Sequence, residues 1–134
     1  MFMNSSVRRQ RDEELTALFL SMLGSGMPAE ATMARCADMP CSRFWIEPEH
    51  ARRLIRRRLE KKKTQSQFKG RHAEKRANNE RRVDEIMHRC DGDYSMAKIA
   101  EVVYSPAPSF YMSGRTAQAV ITRTLKRRRS HGVH

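Results

Sequence analysis

Residues 34–63, ARCADMPCSRFWIEPEHARRLIRRRLEKKK, lie without a gap over residues 100–129, AEVVYSPAPSFYMSGRTAQAVITRTLKRRR, at an offset of 66 positions (residue 100 over residue 34). Identities fall at Ala34/Ala100, Pro40/Pro106, Phe44/Phe110, Ala51/Ala117, Ile55/Ile121, Arg57/Arg123 and Leu59/Leu125. Trp45/Tyr111, Ile46/Met112, Leu54/Val120 and the basic ends Lys61–Lys63/Arg127–Arg129 are conservative exchanges. The shared positions are structural ones: a turn proline, an aromatic pair, one face of a helix. They read as a duplicated supersecondary unit. Two copies, each ending in a basic helix, predict two similar surfaces offered to one extended acidic partner.

Each copy is preceded by a further apolar periodicity. Leu15, Leu18, Phe19 and Met22 recur at helical spacing behind Asp12, Glu13 and Glu14, which suit a helix N-terminus, and Gly24-Ser25-Gly26 stops the run. Val83, Ile86, Met87 and Cys90 repeat the pattern and stop at Asp91-Gly92-Asp93. Short helices are then expected over about 29–38 and 95–103, with Ser95 as N-cap, each ending before a proline. The triplets Phe44-Trp45-Ile46 and Phe110-Tyr111-Met112 read as short extended segments that can pair as a tiny antiparallel ribbon about a pseudo-twofold axis. A last helix follows in each copy, with Pro48 at its first position in one and Ser113 as N-cap in the other. The expected class is all-α, with three helices per half. The expected boundaries are a first helical repeat over 1–63, a basic polar linker and helix start over 64–78, and a second repeat with a basic tail over 79–134.

Charge is distributed unevenly along the 134 residues, whose net charge is +12. Residues 1–51 carry five Lys/Arg against seven Asp/Glu, and residues 83–112 two against five. Residues 52–82 carry fourteen against three, and residues 113–134 six against none. A clustered excess of this kind fits a phosphate backbone, the alternative being solvated helix faces and frayed ends.

The short helix, connection and basic helix of each copy resemble the helix-turn-helix class of DNA-binding proteins, with SMAKIAEVV (95–103) similar to the bracing helix of that motif. The resemblance covers about thirty residues per copy and is to a broad class, not one family. It implies a first helix that braces a second, which presents a polar face to the major groove. The connection from about Met39 to Glu47 is longer than the three or four residues usual in the motif. The expected nucleic-acid contacts are Arg52, Arg53, Arg56, Arg57, Arg58, Lys61, Lys62 and Lys63 from the first basic helix. From the second they are Arg115, Gln118, Thr122, Arg123, Lys126, Arg127, Arg128 and Arg129. The first face is all cationic and predicts affinity; the second mixes cations with neutral hydrogen-bonding groups and predicts sequence discrimination. Removing Arg52, Arg53, Arg56 and Arg57 together should flatten the salt dependence by a slope of roughly 3–4.

Other chemistries find little support. Phe44, Trp45, Phe110 and Tyr111 can stack on unpaired bases, but core packing suits the phenylalanines better, and strand alternation would leave Trp45 and Tyr111 the more open. Cys36, Cys41 and Cys90 are an odd number with no second tight ligand pair, and Val102 and Ala107 stand where the second copy would need Cys36 and Cys41. They read as reduced, small buried hydrophobes, with no metal and no cofactor expected. No Gly-rich phosphate loop or hydrolase motif occurs, and the carboxylates sit where helix ends need them, so no catalytic residue is expected. No apolar run reaches the roughly 18–20 residues that span a bilayer, and MFMNSSVRRQ has no signal-peptide core. The expectation is a cytoplasmic DNA-binding regulator or accessory factor, with RNA as a second possible partner. An architectural, nucleoid, virion or ribonucleoprotein component and a protein–protein adaptor are the competing readings.

Overall fold

A computed structural model describes residues 5–60 and 71–130. Six helices form: α1 (Ser5–Met22), α2 (Ala29–Cys36), α3 (Pro48–Glu60), α4 (Arg71–Cys90), α5 (Met96–Val103) and α6 (Gly114–Ser130), with no strand among the described residues. The expected signals start several of them. Pro48 opens α3. The Ser95 hydroxyl accepts from the Lys98 N–H at 3.2 Å, and the Ser113 hydroxyl accepts from the Thr116 N–H at 3.0 Å.

Helix α1 departs from expectation. It starts at Ser5, seven residues before the acidic triplet, so Asp12, Glu13 and Glu14 lie in mid-helix and serve tertiary contacts instead of the dipole. Glu14 accepts from the Ser42 N–H (2.8 Å) and hydroxyl (2.6 Å), tying α1 to the segment before α3.

The duplication is expressed as a pseudo-twofold at the centre of the molecule. Cys41 and Ala107, equivalent positions in the two copies, form one antiparallel bridge, with Cys41 N to Ala107 O 2.9 Å and the reverse bond 3.0 Å. On either side, the Phe44 N–H donates to Val103 O (3.0 Å) and the equivalent Phe110 N–H donates to Ala37 O (3.1 Å). The expected ribbon is therefore a single bridge, and it lies before the aromatic triplets, not within them. The reason is backbone conformation: Trp45 and Tyr111, again equivalent, both adopt the left-handed region (φ 48° and 56°), which breaks an extended run. The same turn breaks strand alternation. Trp45 is consequently buried beside Phe44 and Ile46, while Tyr111 is half-buried.

The packing partners are exchanged between the copies. Helices α1 and α2 pack together with α6, and α4 and α5 pack with α3; among the described residues α2 makes no close backbone approach to α3, nor α5 to α6. The expectation that each short helix braces the basic helix following it is corrected: each braces the basic helix of the other copy. The connections are the cause. Residues 37–47 and 104–113 cross at the pseudo-twofold, where their backbones bond to one another, and so deliver each basic helix to the opposite lobe. One continuous core results, with Phe44, Ile46, Ile55, Ile86, Ile99, Val103, Leu15 and Ile121 each 2 % exposed or less. Each such side chain contributes about 1.5–3 kcal/mol of burial.

The α2–α6 seam is close. A Cβ built on Gly114 would stand 2.9 Å from Ala34 Cβ and 3.4 Å from Ala34 Cα. Replacing Gly114 with valine should force α6 off α2 and cost about 1–3 kcal/mol, read as a lower denaturation midpoint with unchanged m-value. An unaltered midpoint would mean the seam is looser than described.

Candidate nucleic-acid interface

On α3, Ala51 and Ile55 face the core, so at 100° per residue Arg53, Arg56 and Arg57 project from the opposite side. Arg56 and Arg57 are exposed and Arg53 half-buried. Among the described residues none of the three has a hydrogen bond or ion pair. Arg52 instead holds Glu49 one turn earlier at 2.9 Å. Glu49 is lowered from the usual carboxylate range by that bond first, with the Arg52, Arg53 and Arg56 charges adding. His50 is also lowered, by burial first and then by Arg82, with Arg53 and Arg57 contributing. In both, nearby arginine charges act in the same direction as the leading cause, the hydrogen bond for Glu49 and burial for His50.

Arg58 differs from its neighbours. It faces α4 and pairs with Glu80 and Asp84, so it is a brace between helices and not a free cation. Replacing it with glutamine should lower stability by about 0.5–1 kcal/mol, as expected for a partly exposed pair, and leave the salt slope of any polyanion binding unchanged. A slope reduced by about one would return Arg58 to the interface. Lys61, Lys62, Lys63 and the linker over 64–70 lie outside the described residues.

On α6 the predicted face divides. The Gln118 amide donates to the Glu30 carbonyl at 3.0 Å, and the Thr122 hydroxyl approaches Met33 Sδ at 3.8 Å, so both neutral groups are turned to α2. Arg123 stands 3.7 Å from buried Asp12 while its own side chain is 57 % exposed. Arg127 lies 3.8 Å from Glu13, and Arg128 pairs with Glu13 more closely. Arg115, Lys126 and Arg129 are exposed and have no ion pair among the described residues. Thus α6 is bound on its flanks and free along a narrow outer stripe.

No family model matches the chain, and comparison with curated proteins and with solved structures returns no similar protein. The functional reading accordingly rests on geometry and charge.

The exchange brings in cations that were missing from the sequence-based set. Arg8 and Arg9, exposed on the first turns of α1, line a common cleft with Arg123 and Arg127 of α6. Their signal in the sequence was the pair itself, hidden because residues 1–51 are acidic in sum and because nothing local joins them to residues 123–127.

The aromatics are committed to the interior. Phe44 and Tyr111 stack with centroids 6.1 Å apart, and Arg89 lies 5.1 Å over Phe44. The Arg43 guanidinium sits between Trp45 and Tyr104, 5.0 and 4.4 Å from the ring centroids. Cys36, Cys41 and Cys90 are all free and buried. Burial, and then the charge of Glu14, pushes the Cys41 thiol up to about 12, which leaves no thiolate at neutral pH. Among the described residues, no three His, Cys, Asp or Glu side chains are grouped to hold a metal. Nor is any helix there long and apolar enough to cross a membrane.

Proposed function

We propose that this chain binds duplex DNA through its basic helices, with α3 as the main contact and the outer stripe of α6 as a second. One observation carries the reading: Arg53, Arg56 and Arg57 share the outward face of α3 and form no ion pair among the described residues, Glu49 nearby being held by Arg52, whereas Arg58, Arg123, Arg127 and Arg128 are engaged within the protein. A cationic stripe left uncompensated by its own fold is what phosphate neutralisation requires. In each lobe a basic helix packs on a short helix of the other copy, which supports the reading as far as a braced basic helix goes.

A second reading, sequence-indifferent binding by an architectural protein, is favoured by Gln118 and Thr122. The neutral groups expected to read bases on α6 are occupied by α2, which leaves mostly cations facing outward. Selection of bound duplexes from a random pool tests both. Recovery of a preferred site held at raised salt supports a regulator, and binding without preference supports the architectural role. Absence of duplex binding at about 0.1 M salt, with or without single-stranded or RNA competitors, would overturn the proposal.

A further inference from the structure

Where α6 crosses the first turns of α1, an open cleft of about 290 Å³ is lined by Ser5, Arg8, Arg9, Asp12, Arg123 and Arg127. Four guanidinium groups thus surround a space close to the lower end of ligand-site volumes. The carboxylates nearby are already engaged. Asp12, buried at the base, accepts from Arg11 at 2.9 Å, and Glu13 is held by Arg128. Arg8 and Arg9 are exposed and, among the described residues, have no hydrogen bond or ion pair. Arg127 Nη2 is buried and makes no hydrogen bond, its nearest carboxylate oxygen being Glu13 Oε2 at the ion-pair distance of 3.8 Å, so its hydrogen-bonding capacity is not used up by that contact.

Guanidinium groups converging on one small polar space match a tetrahedral oxyanion better than a carboxylate. A phosphoryl group presents three or more acceptor oxygens and takes bidentate bonds from several arginines at once, whereas one carboxylate satisfies one such fork. We propose that the α1–α6 cleft is a phosphate-binding site. Arg8 and Arg9 supply its outer wall, Arg123 and Arg127 its inner wall, and Asp12 orients Arg123 from beneath. The phosphoryl group can come from a nucleic-acid strand or from a small phosphate ester; the chemistry of capture is shared. Capture itself does not depend on the duplex-binding role of α3.

The test uses the full chain. Pyrophosphate at about 10 mM should raise the melting temperature above that in chloride of equal ionic strength, since a ligand that binds only the folded state stabilises it by mass action. Arg8→Gln/Arg9→Gln should bind pyrophosphate about tenfold more weakly or worse, because two charge-assisted bonds are lost. Because both side chains are exposed, this variant keeps the melting temperature of the parent in chloride. Two DNA arms then separate the sources. If the variant lowers the salt slope on circular duplex, the cleft holds a backbone phosphate. If it removes a preference for 5′-phosphorylated over 5′-hydroxyl strands, the cleft holds a terminal one. A pyrophosphate shift with neither DNA effect assigns the site to a small phosphate ester. No shift beyond matched chloride for the parent chain, or an equal shift for the variant, overturns the site. A parent chain that binds no duplex but keeps the pyrophosphate shift would overturn the α3 reading and leave this site standing.

Discussion

Replacing Arg53, Arg56 and Arg57 together with glutamine is expected to remove most duplex binding while the fold stays intact. Each phosphate contact contributes about 0.9 to the salt slope, so losing three lowers it by about 2.7. Between 50 and 200 mM salt, the advantage of the parent chain over the variant should therefore shrink by roughly 40-fold. Stability should change by no more than about 0.5 kcal/mol, since none of the three has an internal partner and Arg56 and Arg57 are exposed. Fluorescence anisotropy of a labelled duplex, titrated at several salt concentrations, gives the slope directly. An unchanged slope takes α3 out of the interface. Arg52 is left in place because it holds Glu49. The variant therefore carries three of the four arginines that the sequence suggested replacing together.

The largest effect on stability should come from Phe44→Ala. Phe44 is 1 % exposed, its ring stacks on Tyr111 of the other copy and lies under Arg89, and its N–H bonds to Val103 across the pseudo-twofold. Truncating a buried phenylalanine costs about 3–5 kcal/mol, which is a large share of the 5–15 kcal/mol that holds a typical domain together. The loss should be global. With α3 packed on α4 and α5, and α6 on α1 and α2, neither sequential half has its own complete three-helix body. Denaturant curves followed by fluorescence of Trp45, the single tryptophan, and by far-ultraviolet circular dichroism should therefore coincide in parent and variant. Two separated transitions would mean that the halves fold independently and that the exchange is wrong.

How far the sequence could be read is best seen at particular residues. Pro48, Ser95 and Ser113 marked helix starts because capping and the fixed φ of proline act over a few neighbouring positions. Ala51, Ile55, Ala117 and Ile121 marked the inward faces of α3 and α6 because helical periodicity is also local. The start of α1 was missed: Arg8 and Arg9 continue the helix, but Val7 is the single apolar residue among residues 5–11 and sets no period to announce it. Trp45 was misjudged because alternation assumes extended backbone, and its φ of 48° is imposed by the crossing of the two connections.

The candidate site was legible in composition and illegible in detail. Counting arginines found α3 and α6. It could not distinguish Arg57, which has no ion pair, from Arg58, which is braced by Glu80 and Asp84 one position away. It also could not place Arg8 and Arg9 beside Arg123 and Arg127, more than a hundred residues later. The sequence alone determined the six helices and their inward faces, which depend on neighbours within a few turns, and the basic excess, which is a matter of composition. Only the tertiary structure decided which copy each basic helix joins, and hence which cations meet carboxylates and which meet solvent. The reason is that ion pairing is a property of distance in space, and here distance in space is set by two crossing loops whose exchange leaves no periodic trace in the chain.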